Sequence, residues 1–165
     1  MENVPSFRDI KAVLKYPLEF ILCFLIVALV SVIFIQVLFR YVFELSLAWS
    51  EEIARFLLMW LGALSAAYAF KTKSHFALRF VVSRLSEKMQ TAASTIVFLV
   101  LVVFLGIFIY QAFHYMMSGM NQIAPGTRMP MTVPFASAFV GGFLMLYYVV
   151  RNWWTDTFRP SEDGQ

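Results

Sequence analysis

The side chains able to do chemistry in this chain are few, and most of them gather at the ends of hydrophobic runs. The densest group is Ala48-Trp49-Ser50-Glu51-Glu52-Ile53-Ala54-Arg55. Read as a helix start, Ser50 is a suitable N-cap, and Glu51 and Glu52 occupy the first turn, where the helix dipole favours negative charge. Arg55 stands four residues after Glu51 and three after Glu52, so an ion pair on one helical face is possible. Trp49 would anchor that end at a membrane interface. A helix start accounts for everything here except why two acids should lie so close to a hydrophobic run. The functional alternative is a polar contact that sets the register of a partner subunit. Residue chemistry leaves both open.

Other reactive residues are scarce. The two histidines, His75 and His114, flank different hydrophobic runs and fall on opposite sides of a membrane in the topology below. They cannot share a metal or ligate one haem within a single chain. Cys23 is the single cysteine and lies inside a hydrophobic run, which excludes a disulfide framework or a cysteine metal site. No serine, histidine and acid cluster is suggested by the spacing. The chain is therefore expected to be no enzyme and to carry no catalytic residue, metal or cofactor. Its net charge of +3 is too small to suggest nucleic-acid binding.

The elements that must position these residues are membrane spans. The 165 residues are 61% hydrophobic and 14% charged, with a mean hydropathy of +0.73, and soluble domains are far less apolar. A helix needs about 20 apolar residues to cross the hydrocarbon core. Four stretches provide them, at about 18–39, 53–70, 92–113 and 133–150. The first is too long for a signal-peptide core and lacks a small-residue cleavage site, so it is expected to be retained.

Orientation follows from the basic residues. Arg8, Lys11 and Lys15 precede the first span; Lys71, Lys73, Arg79, Arg84 and Lys88 lie between the second and third; Arg151 and Arg159 follow the fourth. Only Arg40, Arg55 and Arg128 fall on the other side. Both termini are thus expected to be cytoplasmic. Tyr16, Tyr41, Trp49, Tyr110, Tyr115, Trp153 and Trp154 sit near the span ends, as interfacial aromatic belts do.

Leu78, Val81, Val82, Leu85 and Met89 recur at helical spacing, which predicts an amphipathic helix over 76–89 lying in the cytoplasmic interface. The segment 41–49 is short and aromatic and is expected to stay at the outer interface. Residues 117–132 hold Gly119, Asn121, Pro125, Gly126 and Pro130, a turn-rich composition for an extracytoplasmic loop. The expected fold is an all-α integral membrane protein: four transmembrane helices and short interfacial ones, N-in and C-in, in one membrane domain over 1–165.

A charge at mid-membrane costs roughly 2.5–3.5 kcal/mol on insertion scales and usually marks a transport pathway. The deep interior of every span lacks Asp, Glu, Lys and Arg; Glu19 enters the first only at its cytoplasmic end. Gln36, Ser31, Ser65 and Gln111 are the polar groups near or within the spans, and such residues mostly bridge helices. Gly141-Gly142 suggests a close helix contact, and Gly62, Ala66 and Ala69 form a small-residue strip suited to packing against another helix. The chain reads as a scaffold without a substrate site of its own.

The run from Gln36 to Leu78 closely resembles the small membrane subunit, DctQ-like, of tripartite ATP-independent periplasmic (TRAP) transporters. The family pattern falls here on Arg40, Tyr41, Trp49, Ser50, Glu51, Glu52, Arg55, Trp60, Gly62 and His75. After the histidine the family often has an acid, whereas Arg79 stands here. The resemblance implies a small permease subunit in a bacterial inner membrane. Its partners would be a larger sodium-coupled elevator subunit, which it braces, and a periplasmic binding protein, which it helps to dock. The cargo would be an organic acid of the C4-dicarboxylate, keto acid or sialic acid type. Arg40, Trp49, Ser50, Glu51, Glu52, Arg55, Trp60, Gly62 and His75 are then candidates for the partner interface, with membrane lipids around the rest. Two other classes remain on residue grounds. A four-helix proton-coupled multidrug exporter needs a membrane carboxylate in its first span, where only Glu19 is found. A respiratory anchor subunit would have too few histidines for haem.

Overall fold

In hydrocarbon every backbone N–H and C=O must find its partner within the segment, and an α-helix provides this. The structure, a computed structural model describing residues 17–45, 47–72 and 87–158, contains four helices long and apolar enough to cross a membrane. They are α1 (Pro17–Val42), α2 (Ala48–Lys71), α3 (Glu87–Ser118) and α4 (Thr132–Phe158), with a 3-10 turn at Gly119–Asn121. The all-α membrane fold read from composition is the fold observed.

Each helix outruns its expected span, α3 most of all. Its 32 residues reach about 48 Å at 1.5 Å per residue, against a hydrocarbon core of about 30 Å. Hydropathy marks only the apolar middle of such a helix, while backbone hydrogen bonds carry it on through polar flanks. The expected interfacial helix over 76–89 lies outside the described residues except for 87–89, which form the start of α3. His75 lies outside them as well.

α1 and α2 are joined by a tight connection rather than by a segment as long as 41–49. Phe43 and Leu45 both donate their N–H to the Phe39 carbonyl, and Glu44 takes a left-handed φ of 53° to allow it. Two polar bridges then tie the pair. At one end the Lys71 ammonium contacts the Glu19 carboxylate at 2.8 Å, and at the other Gln36 Nε2 donates to Glu51 Oε1 at 3.4 Å.

α2 packs along α1 on one side and α4 on the other, and α4 packs in turn along α3. The helices therefore stand in the spatial order α1–α2–α4–α3, with α1 and α3 at opposite edges. α4 turns a different small residue to each neighbour. A Cβ on Gly141 would lie 2.8 Å from the Ala63 Cβ on α2, and one on Gly142 would lie 2.9 Å from the Phe108 ring on α3. The expected close contact at this glycine pair is present, and it serves two seams at once.

Aromatic pairs fill the α3–α4 seam toward both ends, with Phe98 stacked on Trp153 at 4.5 Å and Tyr115 against Phe135 at 4.1 Å. Asn152 Nδ2 donates to the Phe70 carbonyl at 2.8 Å and ties α4 to the last turn of α2. Pro134 sits in the first turn of α4, where its missing N–H costs no hydrogen bond.

Candidate functional site

The site is built at the head of α2, where the sequence places its acids. The N-cap is Leu47, in extended conformation with no side-chain cap, so Ser50 does not have the capping role expected of it. Ser50 lies inside the first turn, 1% exposed, and both its N–H and its hydroxyl donate to the Leu47 carbonyl, the hydroxyl at 2.7 Å. A short hydroxyl in a helix readily bonds back to its own backbone. Here that leaves the free N–H groups of the helix start to other partners.

The salt bridge with Arg55 that the spacing allowed does not form, although the Arg55 charge still acts on Glu52 from a distance. Glu51 takes its hydrogen bond from Gln36 on α1, and Glu52 turns to the loop between α3 and α4. Arg55 is exposed and makes no ion pair among the described residues. The two carboxylates point in different directions, and each ties α2 to another part of the chain.

Glu52 is the centre of the arrangement. Its Oε1 accepts the Gly126 N–H at 2.8 Å, and its Oε2 accepts the Thr127 N–H at 2.7 Å and the Thr127 hydroxyl at 2.9 Å. Successive backbone N–H groups aimed at one carboxylate form an anion nest, and bonds to a charged acceptor are stronger than neutral ones.

The loop is shaped for this. Ala124 N–H bonds to the Met129 carbonyl, Arg128 N–H to the Ala124 carbonyl and Met131 N–H to the Gln122 carbonyl, each at 2.9 Å. Arg128 adopts a left-handed φ of 57° to close the turn. Gly126 makes a close approach: a Cβ there would lie 3.1 Å from the backbone C and O of Ala48 and from the Glu52 carboxyl carbon. Gly119, at the start of the same connection, would meet the Thr132 backbone nitrogen at 2.7 Å. The turn-rich composition thus encodes a folded hairpin seated on α2. Gly126 was legible as a turn residue, but nothing in the residue types marked it or Thr127 as the partners of Glu52.

The remaining candidates divide by face. Trp60 Nε1 donates to the Val133 carbonyl at 3.2 Å, which places Trp60 on the α2–α4 seam. Trp49 and Arg40 are exposed. Gly62 is exposed too, and a Cβ there would meet nothing within 4 Å. The close packing within the chain uses the next residue, Ala63, and Ala67, which is fully buried. Arg55, Leu58, Gly62 and Ser65 recur at intervals of three or four and form an outward, exposed stripe.

Among the other polar residues, Gln36 bridges helices as expected. Ser31 instead donates to the Val27 carbonyl of its own helix at 2.8 Å. Glu19, the acid that an exporter would need free, is paired with Lys71.

The chain matches the sequence profile of the tripartite ATP-independent periplasmic transporters, DctQ component, over residues 29–159. It is similar to a protein of Haemophilus influenzae named as a TRAP transporter small permease, 28% identical over 126 residues, which covers 76% of this chain and 78% of that one. It is also similar to the sialic acid TRAP transporter permease protein SiaT of the same species, 33% identical over 86 residues. That second match covers 52% of this chain and 14% of the longer relative.

Proposed function

Because the chain belongs to the DctQ component family of tripartite ATP-independent periplasmic transporters, a transporter family and not an enzyme family, we propose that it is the small permease subunit of an organic acid uptake system. In this reading it braces a larger sodium-coupled membrane subunit and helps to dock a periplasmic binding protein. It lies in a bacterial inner membrane with both termini cytoplasmic. The basic residues around Lys71 and Arg151 support that orientation.

The observation that carries the reading is the outward stripe of α2. A helix face that meets only lipid has no use for Arg55, Gly62 and Ser65, whereas helix seams in a bilayer favour small and polar residues. The hairpin held by Glu52 supplies a preorganised surface at the same end, suited to contact a soluble partner. The relative named for sialic acid supports a carboxylate cargo of that type, and most of that longer protein lies outside the match, as expected if a second, larger part does the transport.

Co-expression with a large membrane protein encoded beside this chain tests the proposal. The two are expected to co-purify in mild detergent, and deletion of this chain is expected to abolish uptake. Uptake that survives the deletion, with this chain purifying alone, would overturn it.

A further inference from the structure

We propose that the third face of α4 is a binding site for one anionic phospholipid, with the phosphate on Arg151 and an acyl chain laid along Phe143, Leu146, Tyr147 and Val150. These residues and Trp154 line a shallow groove of about 410 Å³. That volume falls within the range of small-molecule pockets, roughly 300–1,000 Å³. The groove faces away from both helix seams, because Gly141 meets α2 and Gly142 meets α3.

The side chains distinguish lipid from a partner helix. Each seam of α4 brings a glycine against its neighbour at the closest approach, whereas no glycine or alanine lines the groove, which offers aromatic and branched aliphatic groups instead. Its length also fits. From Phe143 to Trp154 the helix rises about 16 Å, close to the roughly 15 Å of one hydrocarbon leaflet.

The chemistry changes where a headgroup would begin. Arg151 is the first charged residue after Thr132 along α4, is exposed, and has no acidic partner among the described residues. Trp154, 61% exposed, stands one turn further on, at the depth where amphipathic rings sit. The charge of Arg151 would favour a headgroup of net negative charge over a zwitterionic one, whose quaternary ammonium offsets its phosphate. This inference does not depend on the transport role.

Native mass spectrometry of the full chain in detergent, with phosphatidylglycerol or phosphatidylcholine of matched acyl chains added, tests it. The parent is expected to retain phosphatidylglycerol preferentially. Arg151→Gln should lower that retention about fivefold, the effect of one basic side chain at an anionic surface, and lower phosphatidylcholine retention by less. Val150→Trp, which fills the groove, should lower both. Equal retention of the two lipids by the parent, or parental retention by Arg151→Gln, would overturn the proposal. So would a loss in Arg151→Lys, which keeps the charge, equal to that in Arg151→Gln. Cysteine cross-linking from Tyr147→Cys to another membrane protein in native membranes would assign the face to a partner helix and overturn it likewise.

Discussion

At the scale of single residues, Glu52 shows how much one carboxylate can organise. It joins the head of α2 to a loop 74 and 75 residues further along the chain through three hydrogen bonds. Glu52→Ala is expected to raise amide hydrogen exchange at Gly126 and Thr127 several-fold, with Glu52→Gln intermediate. Unchanged exchange would mean that the loop is held by its own bonds between Ala124 and Met129. Gly126→Ala should cost about 1–3 kcal/mol, because the added methyl meets the Ala48 backbone, which cannot yield as a side chain could. A thermal unfolding midpoint equal to the parent's would contradict that. The sequence made the acids visible, and the resemblance singled them out, but their partners could not be read. Gly126 contributes only a backbone N–H, a group common to nearly every residue, so its type carries no sign of the contact. The salt bridge with Arg55 is absent for a related reason: helical spacing permits an ion pair, but the choice between local and distant partners is made by tertiary structure.

At the scale of elements, four spans were legible because hydrophobic length is a local property. Which span packs beside which was not, since hydropathy says how a residue prefers its surroundings and nothing about its neighbour. Small residues gave a partial answer. Gly141 and Gly142 mark real seams, whereas Gly62 faces outward and the packed position on α2 is Ala63. Sequence spacing alone could not separate adjacent small residues by face. Gly141→Ala is expected to cost about 1–3 kcal/mol in detergent unfolding, because two helices already in contact must part. Removing the Ala63 methyl in the double variant with Ala63→Gly should restore part of the loss. No recovery would place the strain elsewhere than at the 2.8 Å contact between the two Cβ positions.

At the scale of the whole molecule, the row α1–α2–α4–α3 leaves α2 central in the chain yet open along one stripe. This makes a prediction that separates folding from assembly. Gly62→Leu should not destabilise the isolated chain, since a Cβ there meets nothing within 4 Å and leucine is the better helix former, and should reduce recovery of the complex with the large membrane subunit. Arg55→Ala should act in the same direction. Equal complex yield for variants and parent would show that the stripe faces lipid.

The bridges at the two ends of α1 and α2 have a consequence in time. During synthesis the contact of Gly141 with Ala63 cannot form until 78 further residues have been made, about 4–16 s at ordinary elongation rates. For that interval α2 has only α1 beside it. The contacts of Glu19 with Lys71 and of Gln36 with Glu51 lie wholly within this first pair and need nothing that comes later. They join the first two helices at both ends of the pair, so that the register of the face awaiting α4 can be set without anything made later.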